Sequence, residues 1–318
     1  MNSNIQELNR QLGIKRIVIW GFKTVFTHSH RFIHGGFYST LKKLDIPTVW
    51  IDDSFASAGG VQSGDLVFAM NEAMTYLPVI KGVKYCLHNA PRNFIDQLDK
   101  KDYVLLQVLI KERFDDPKNQ VSEVNTLLEG AANYNEDGNI LHQSWGAPLL
   151  AREFYRPKNL EYKKSEYFVG TIWDNEEGQG NSKVIPIYKA ELQRFGVKFL
   201  HVQGAPEFTN PLYVRHSAVG ASIVGNWQKE VGYAPCRLFK AVSFGRLGII
   251  NSSHISDPYP WAISNENIPD LLDSVFTMNP NKSIELIEHQ QSFVKKETYE
   301  NKIKNILKVL VLNQHNCS

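Results

Sequence analysis

Short runs of consecutive apolar residues alternate along the chain with glycine-rich or polar stretches and with segments of helical spacing. Arg16-Ile-Val-Ile-Trp-Gly21 reads as a buried strand, and His34-Gly-Gly-Phe-Tyr-Ser-Thr-Leu-Lys-Lys-Leu44 as a helix entered through two glycines. Pro47-Thr-Val-Trp-Ile-Asp52 is the next strand, and the series continues through Asp65–Ala69, Val83–His88 and Tyr103–Gln107, with a short strand around Asn139–His142. Strands alternating with helices predict a parallel sheet covered on both faces. Ligands of such sheets sit at the carboxyl ends of the strands, so residues 21–36, Asp52–Ser54 and His88-Asn89 are expected on one rim.

The segment Ala151–Glu166 is charged, carries a proline and reads as a linker, after which the pattern restarts. Tyr167–Ile172 reads as a strand, Asp174–Ser182 as a polar loop with glycines, Ile185–Phe195 as a helix, and Val197–Val202 and Val219–Val224 as strands. Tyr299–Leu312 is an apolar-periodic terminal helix. Two domains are therefore expected, residues 1–150 and 151–318, each α/β, with the terminal helix able to return to the first.

Composition narrows the class. A hydrophobic content of 42% over 318 residues suits a globular protein with two cores. No apolar run reaches the roughly 20 residues of a membrane span, and the opening residues lack the pattern of a signal peptide, which predicts a cytoplasmic protein whose membrane contact is at most peripheral. The cysteines, Cys86, Cys236 and Cys317, lack metal-ligand spacing and predict no disulfide. A formal charge of +2, with dispersed Lys and Arg, argues against nucleic acid as a partner. The first strand is not followed by G-x-G-x-x-G, which argues against a dinucleotide oxidoreductase.

The richest stretch is Tyr233–Ser252. Pro235 opens a helix, Arg237 and Lys240 share one face, Leu238, Phe239 and Val242 cover the other, Gly245 stops it, and Gly248-Ile-Ile-Asn251 follows as a strand. A helix start with two cations is suited to a diphosphate. The same spacing also fits an ordinary amphipathic helix with solvated Arg and Lys.

The order of elements resembles the GT-B class of glycosyltransferases, in which two Rossmann-like domains face each other across a cleft. Phe168-Val-Gly-Thr-Ile172 resembles the strand and loop that open the donor domain of that class. Arg237–Asn251 resembles its R-L-F-E-A-x-A-x-G-x-P-V-I signature, with related segments in exostosin-like and fucosyltransferase-like members. The resemblance implies a transferase that moves a sugar from a nucleotide sugar to a glycan or lipid-linked acceptor, as in polysaccharide biosynthesis. It implies Gly170, Thr171, Arg215, Glu230, Tyr233, Arg237 and Lys240 as donor-binding residues, and Gly35, Gly36, His88 and Asn89 on the acceptor side. Lys240 stands where the retaining members carry a glutamate, with Gly232 eight residues earlier, which favours inversion and a general base.

His34, at the glycine-flanked helix mouth, is the first candidate for that base, and Asp52 and Asp53 are the alternatives. The histidines His28, His30 and His34 match no standard ligand set, so neither metal nor cofactor is expected. A nucleotide-sugar epimerase of the same fold and a non-catalytic sugar- or nucleotide-binding protein are the competing readings.

Overall fold

Val18, Ile19 and Trp20 are buried on both faces of their strand, as a parallel sheet covered by helices requires. The computed structural model describes residues 4–25, 28–109, 123–157, 164–205 and 209–316. Two compact units divide them: residues 4–108, 123–143 and 299–316 form the first, and residues 144–298 make up nearly all of the second.

The first unit begins with α1 (Ile5–Gln11), β1 (Arg16–Trp20), α2 (Ser29–Lys43), β2 (Thr48–Ile51), β3 (Asp65–Met70), β4 (Lys84–His88), α3 (Arg92–Ile95) and β5 (Tyr103–Gln107), then β6 (Asn133–Asn135) and β7 (Ile140–His142). The strand order is β2-β1-β3-β4-β5-β7-β6. All neighbours run parallel except β6, which pairs antiparallel with β7. Chain progression reverses between β1 and β3, and a doubly wound sheet opens a ligand crevice beyond the carboxyl ends of its strands at such a point.

Side chains alternate across this sheet. Val18, Trp20, Val67, Ala69, Tyr85 and Leu87 share one core with Met74, Leu77 and Phe94. On the opposite face, Phe68 meets Phe37 and His34 of α2 at ring-centroid distances of 4.6 and 5.3 Å.

The second unit contains β8 (Ser165–Val169), α4 (Val184–Arg194), β9 (Lys198–Val202), α5 (Asn210–His216), α6 (Asn226–Glu230), α7 (Cys236–Ser243), β10 (Ile249–Ile250), β11 (Ile263–Ser264), α8 (Ile268–Phe276) and α9 (Pro280–Val294). β8 pairs parallel with β9, and β10 parallel with β11. Val219–Val224, expected as a strand, instead runs between the two pairs with only an isolated bridge from Ser222 to Ile250. The reason is local. The Ala218 N–H donates to the Ser165 carbonyl at 2.8 Å, but the next three N–H groups, of Val219, Gly220 and Ala221, donate to the buried Glu166 carboxylate at 2.9, 3.2 and 3.1 Å. A side chain therefore takes the place of ladder acceptors. Phe168, Tyr188, Leu192, Ile223, Ile249, Leu271 and Ile287 close the core around it.

The expected linker also differs. Ala151–Glu153 is a 3-10 turn, the Tyr155 N–H donates to Ser243, the Tyr155 carbonyl accepts from Gln291, and Ser165 and Glu166 already belong to β8. Residues 158–163 lie outside the described residues, as does Cys317.

The last helix, α10 (Tyr299–Asn316), belongs with the first unit. It packs on α1 and α2, and a Cβ at Gly36 would lie 2.4 Å from the Tyr299 ring. α2 also starts earlier than expected, at Ser29, so Gly35 and Gly36 are interior helical residues rather than its entrance. Helix propensity is overridden there by close packing. Among the described residues no helix is long and apolar enough to cross a membrane.

Glu166→Ala leaves three buried N–H groups without an acceptor, at about 1–3 kcal/mol each. A loss of at least about 3 kcal/mol is expected in urea unfolding monitored by circular dichroism, and a loss under about 1 kcal/mol would refute the role given to this carboxylate.

Candidate active site

β1 ends in an unusual backbone. Gly21 has φ 84° and Phe22 φ 59°, a left-handed conformation that a bulky residue adopts at a cost of about 1–3 kcal/mol. The Gly21 N–H donates to the Ile51 carbonyl at 2.8 Å, and the Gly21 carbonyl receives the Trp50 indole N–H at 2.9 Å. The turn is thus held by its neighbour β2 and delivers the Phe22 ring to the carboxyl rim. At the end of β4, Asn89 repeats the left-handed turn with φ 52°.

Around Phe22 gathers a group of imidazoles. The Phe22 ring stacks on His28 at 4.6 Å and meets His34 edge-on at 5.4 Å. His30 lies 5.2 Å from His28 and stacks on His88 at 6.0 Å. Among the described residues no group of three or more His, Cys, Asp or Glu side chains is arranged to hold a metal ion. His30 and His34 are four residues apart on α2, a spacing that puts both rings on one face.

His34 is fully buried. Its Nδ1 lies 3.2 Å from the Gly21 carbonyl, which can only accept, so Nδ1 carries the proton and Nε2 presents a lone pair. That Nε2 meets no hydrogen-bond partner. Burial pulls the His34 pKa down to about 4, against a small upward push from the Gly21 bond. Burial and the neighbouring imidazoles hold His30 lower still, at about 2, and burial depresses His88, whose Nδ1 reaches the Leu106 carbonyl at 2.9 Å. All three are neutral near pH 7. His34 therefore lies in the second turn of α2, sealed from solvent, and not at an open helix mouth.

The other acceptor-side residues divide. Asp52 and Asp53 are half-buried just beyond β2, where Asp52 accepts from the Thr24 hydroxyl at 2.8 Å. A Cβ at Gly21 would lie 3.4 Å from the Asp53 side chain, so that carboxyl group stands against the Gly21 turn. Gly35 is buried within α2, and Gly36 faces Tyr299.

In the second unit, Gly170 follows β8 directly and Arg237 lies in the first turn of α7, whose N-cap is Pro235. The Arg237 guanidinium lies over the Phe168 ring at 4.1 Å, and a Cβ at Gly170 would be 3.6 Å from its central carbon. Its Nη1 is buried without a hydrogen-bond partner. Burial lowers the Arg237 pKa, while Tyr233, Tyr188 and Glu166 nearby oppose that shift. The cation persists, because guanidinium is not deprotonated in proteins. Burial pushes the Tyr233 phenol up, which keeps it a neutral donor. Phe168, which the sequence reading used only as part of a motif, supplies the stacking face.

The loop after β8 is ordered by its own polar groups. Asp174 accepts from the Gly180 N–H at 2.8 Å and from the Ser182 hydroxyl, while Asn181 accepts from the Trp173 N–H at 2.9 Å and donates to the Thr171 carbonyl at 3.2 Å. Gly225 passes so close to Gly180 that a Cβ would fall 2.3 Å from its backbone.

Other expected donor residues lie apart from Arg237. Lys240 donates to the Asn210 side chain. Arg215 stacks on Tyr155 at 4.1 Å, and it sits near the amino end of β8, where Ala218 bonds Ser165, so the length of the strand separates it from Gly170. Glu230 is exposed at the end of α6. Trp173 and Trp227 meet edge to face at 6.4 Å.

No family model matches the chain, and no curated protein matches it. Among solved structures, the crystal structure of TarM is similar with a TM-score of 0.47 and 11% sequence identity, over 87% of this chain and 58% of that one. This chain thus spans little more than half the length of the TarM chain.

The buried imidazoles make stability depend on acid. A His34 pKa lowered from 6.5 to about 4 leaves its contribution complete above about pH 6.5 and removes it as the pH falls toward 4, because only the unfolded chain takes up the proton in that interval. The expected loss attributable to His34 between pH 7.5 and pH 4.5 is about 2–3 kcal/mol. Urea midpoints at the two pH values check it, with His34→Gln giving the shallower profile and an unchanged profile refuting the assignment.

Proposed function

We propose that the chain is a GT-B-type glycosyltransferase, metal-independent and inverting, that transfers a sugar from a nucleotide sugar to a glycan or lipid-linked hydroxyl. The observation that carries this reading is Arg237. It is a half-buried guanidinium whose sealed Nη1 has no hydrogen-bond partner, set in the first turn of a helix, against a glycine at the carboxyl end of a strand. Such a cation, with the free N–H groups of the helix start, favours a diphosphate and stabilises the charge that develops on it as the glycosidic C–O bond breaks. Gly170 allows backbone approach, and Tyr233 donates as a neutral phenol.

In the transfer step, the acceptor oxygen attacks the anomeric carbon, the bond to the diphosphate breaks, and the acceptor proton passes to a base. Of the sequence candidates, Asp52 and Asp53 are better suited to receive it than His34. They are half-exposed beyond the strand end, whereas His34 is sealed and only weakly basic. His34 then serves to hold the Gly21 turn through Nδ1.

Calorimetric titration with UDP and GDP in the presence of a chelator tests the donor site. One of them is expected to bind, and Arg237→Ala to weaken it by about 1.5–3 kcal/mol. Unchanged affinity in that variant would overturn the site. Turnover with the donor that binds is expected to fall about 10²–10⁴-fold in Asp52→Asn or Asp53→Asn at constant donor affinity. Near-normal turnover in both would remove the carboxylates from the step.

A further inference from the structure

A second group of side chains gathers on the segments that follow β3 and β4. Its cavity of about 350 Å³ is lined by Asn71, Thr75, Asn93 and Gln97 together with apolar residues that include Met74 and Phe94. Met74 and Phe94 belong to the core shared by Trp20, Val67 and Leu87, whereas Phe68 turns toward His34 on the opposite face. That core also holds Phe22, and a Cβ at Gly21 would lie 2.4 Å from Ala73, so the cavity neighbours the Phe22 turn, although none of the imidazoles lines it.

The chemistry of the walls is specific. No charged side chain lines the cavity. On α3, the adjoining Arg92 and Asp96 neutralise each other at 2.8 Å. The Asn71, Thr75 and Asn93 side chains are exposed and bond to no described residue. Gln97 donates to the Asn93 carbonyl at 2.7 Å, which fixes its amide and leaves its oxygen to accept. Each primary amide donates and accepts at once, as a sugar hydroxyl does. Beside them, Tyr76 stands between Thr75 and Leu77 of the wall, 45% exposed, and meets Phe55, 79% exposed, edge to face at 5.8 Å. Two large aromatic rings held open to water next to uncharged amides suit a ligand with apolar C–H faces and neutral hydroxyls.

We propose that this cavity and the Phe55–Tyr76 pair form a binding site for neutral carbohydrate. The amides pair with hydroxyls, the rings cover the C–H face of a pyranose, and the absence of wall charge disfavours acidic sugars. The site does not depend on the chain being a transferase.

Titration of the full chain with maltotriose, cellotriose and chitotriose, with trigalacturonate as the acidic control, tests it. Calorimetry or nuclear magnetic resonance gives the readout. At least one neutral trisaccharide is expected to bind with Kd at or below about 1 mM. Trigalacturonate is expected to bind at least about tenfold more weakly. Asn93→Ala, Gln97→Ala and Phe55→Ala alter exposed side chains and are each expected to weaken binding about five- to tenfold with the melting temperature unchanged. Nucleoside diphosphate affinity is the internal control and stays constant in these variants. No binding by any neutral trisaccharide, equal binding of trigalacturonate, or affinity insensitive to all three substitutions would overturn the proposal. Loss of trisaccharide binding in Arg237→Ala instead would move the ligand to the second unit and overturn it equally.

Discussion

The buried carboxylate of Glu166 is the constraint on which the second unit depends. Its three N–H bonds fix residues 219–221 between β8 and β10, where no continuous backbone ladder joins the two strand pairs. Burial raises its pKa and the N–H bonds oppose that rise, so the group is held by directed bonds against its own desolvation. Glu166 and Phe168 are two residues apart and face the same side of β8. The carboxylate that organises the layer thus also aligns the ring under Arg237, and fixing the sheet and aiming the guanidinium are one structural act.

The candidate groups of the two units are opposite in kind. In the first, neutral imidazoles pack ring against ring, and the backbone at Phe22 and Asn89 is held in a conformation that costs energy. In the second, a permanent cation is half-buried, with one guanidinium nitrogen sealed from water and unpaired. One arrangement shields and orients, and the other attracts charge.

The sequence made the first unit legible because its strands are uninterrupted apolar runs between breakers, as in Arg16–Trp20 and Asp65–Met70. It misled wherever a glycine served packing. Gly35-Gly36 looked like a helix entrance, yet the Tyr299 ring fills the space a side chain would need, and that contact spans most of the chain length. Val219–Val224 has strand-like side chains, but the N–H groups of its first three residues go to Glu166 instead of to a neighbouring strand. The Arg237–Gly170 pairing was readable, since strand ends and helix starts meet in α/β units. The location of Arg215 was not, because residue spacing does not tell at which end of a strand a following helix finishes. The helices Ile268–Phe276 and Pro280–Val294 escaped notice, as did the imidazole packing around Phe22.

The return of α10 to α1 and α2 sets a timetable for synthesis. Translation produces the sheet of the first unit early, but the helix that covers Gly36 and Phe37 emerges only after every residue of the second unit has been made. Until then the surfaces of α1 and α2 that it covers stay open to water, the condition under which nascent chains aggregate or engage chaperones. The second unit, contiguous over residues 144–298, has no such wait. The half of the molecule translated first is therefore the half completed last, and a defect in the eighteen residues of α10 would be felt at α1 and α2 rather than beside Arg237.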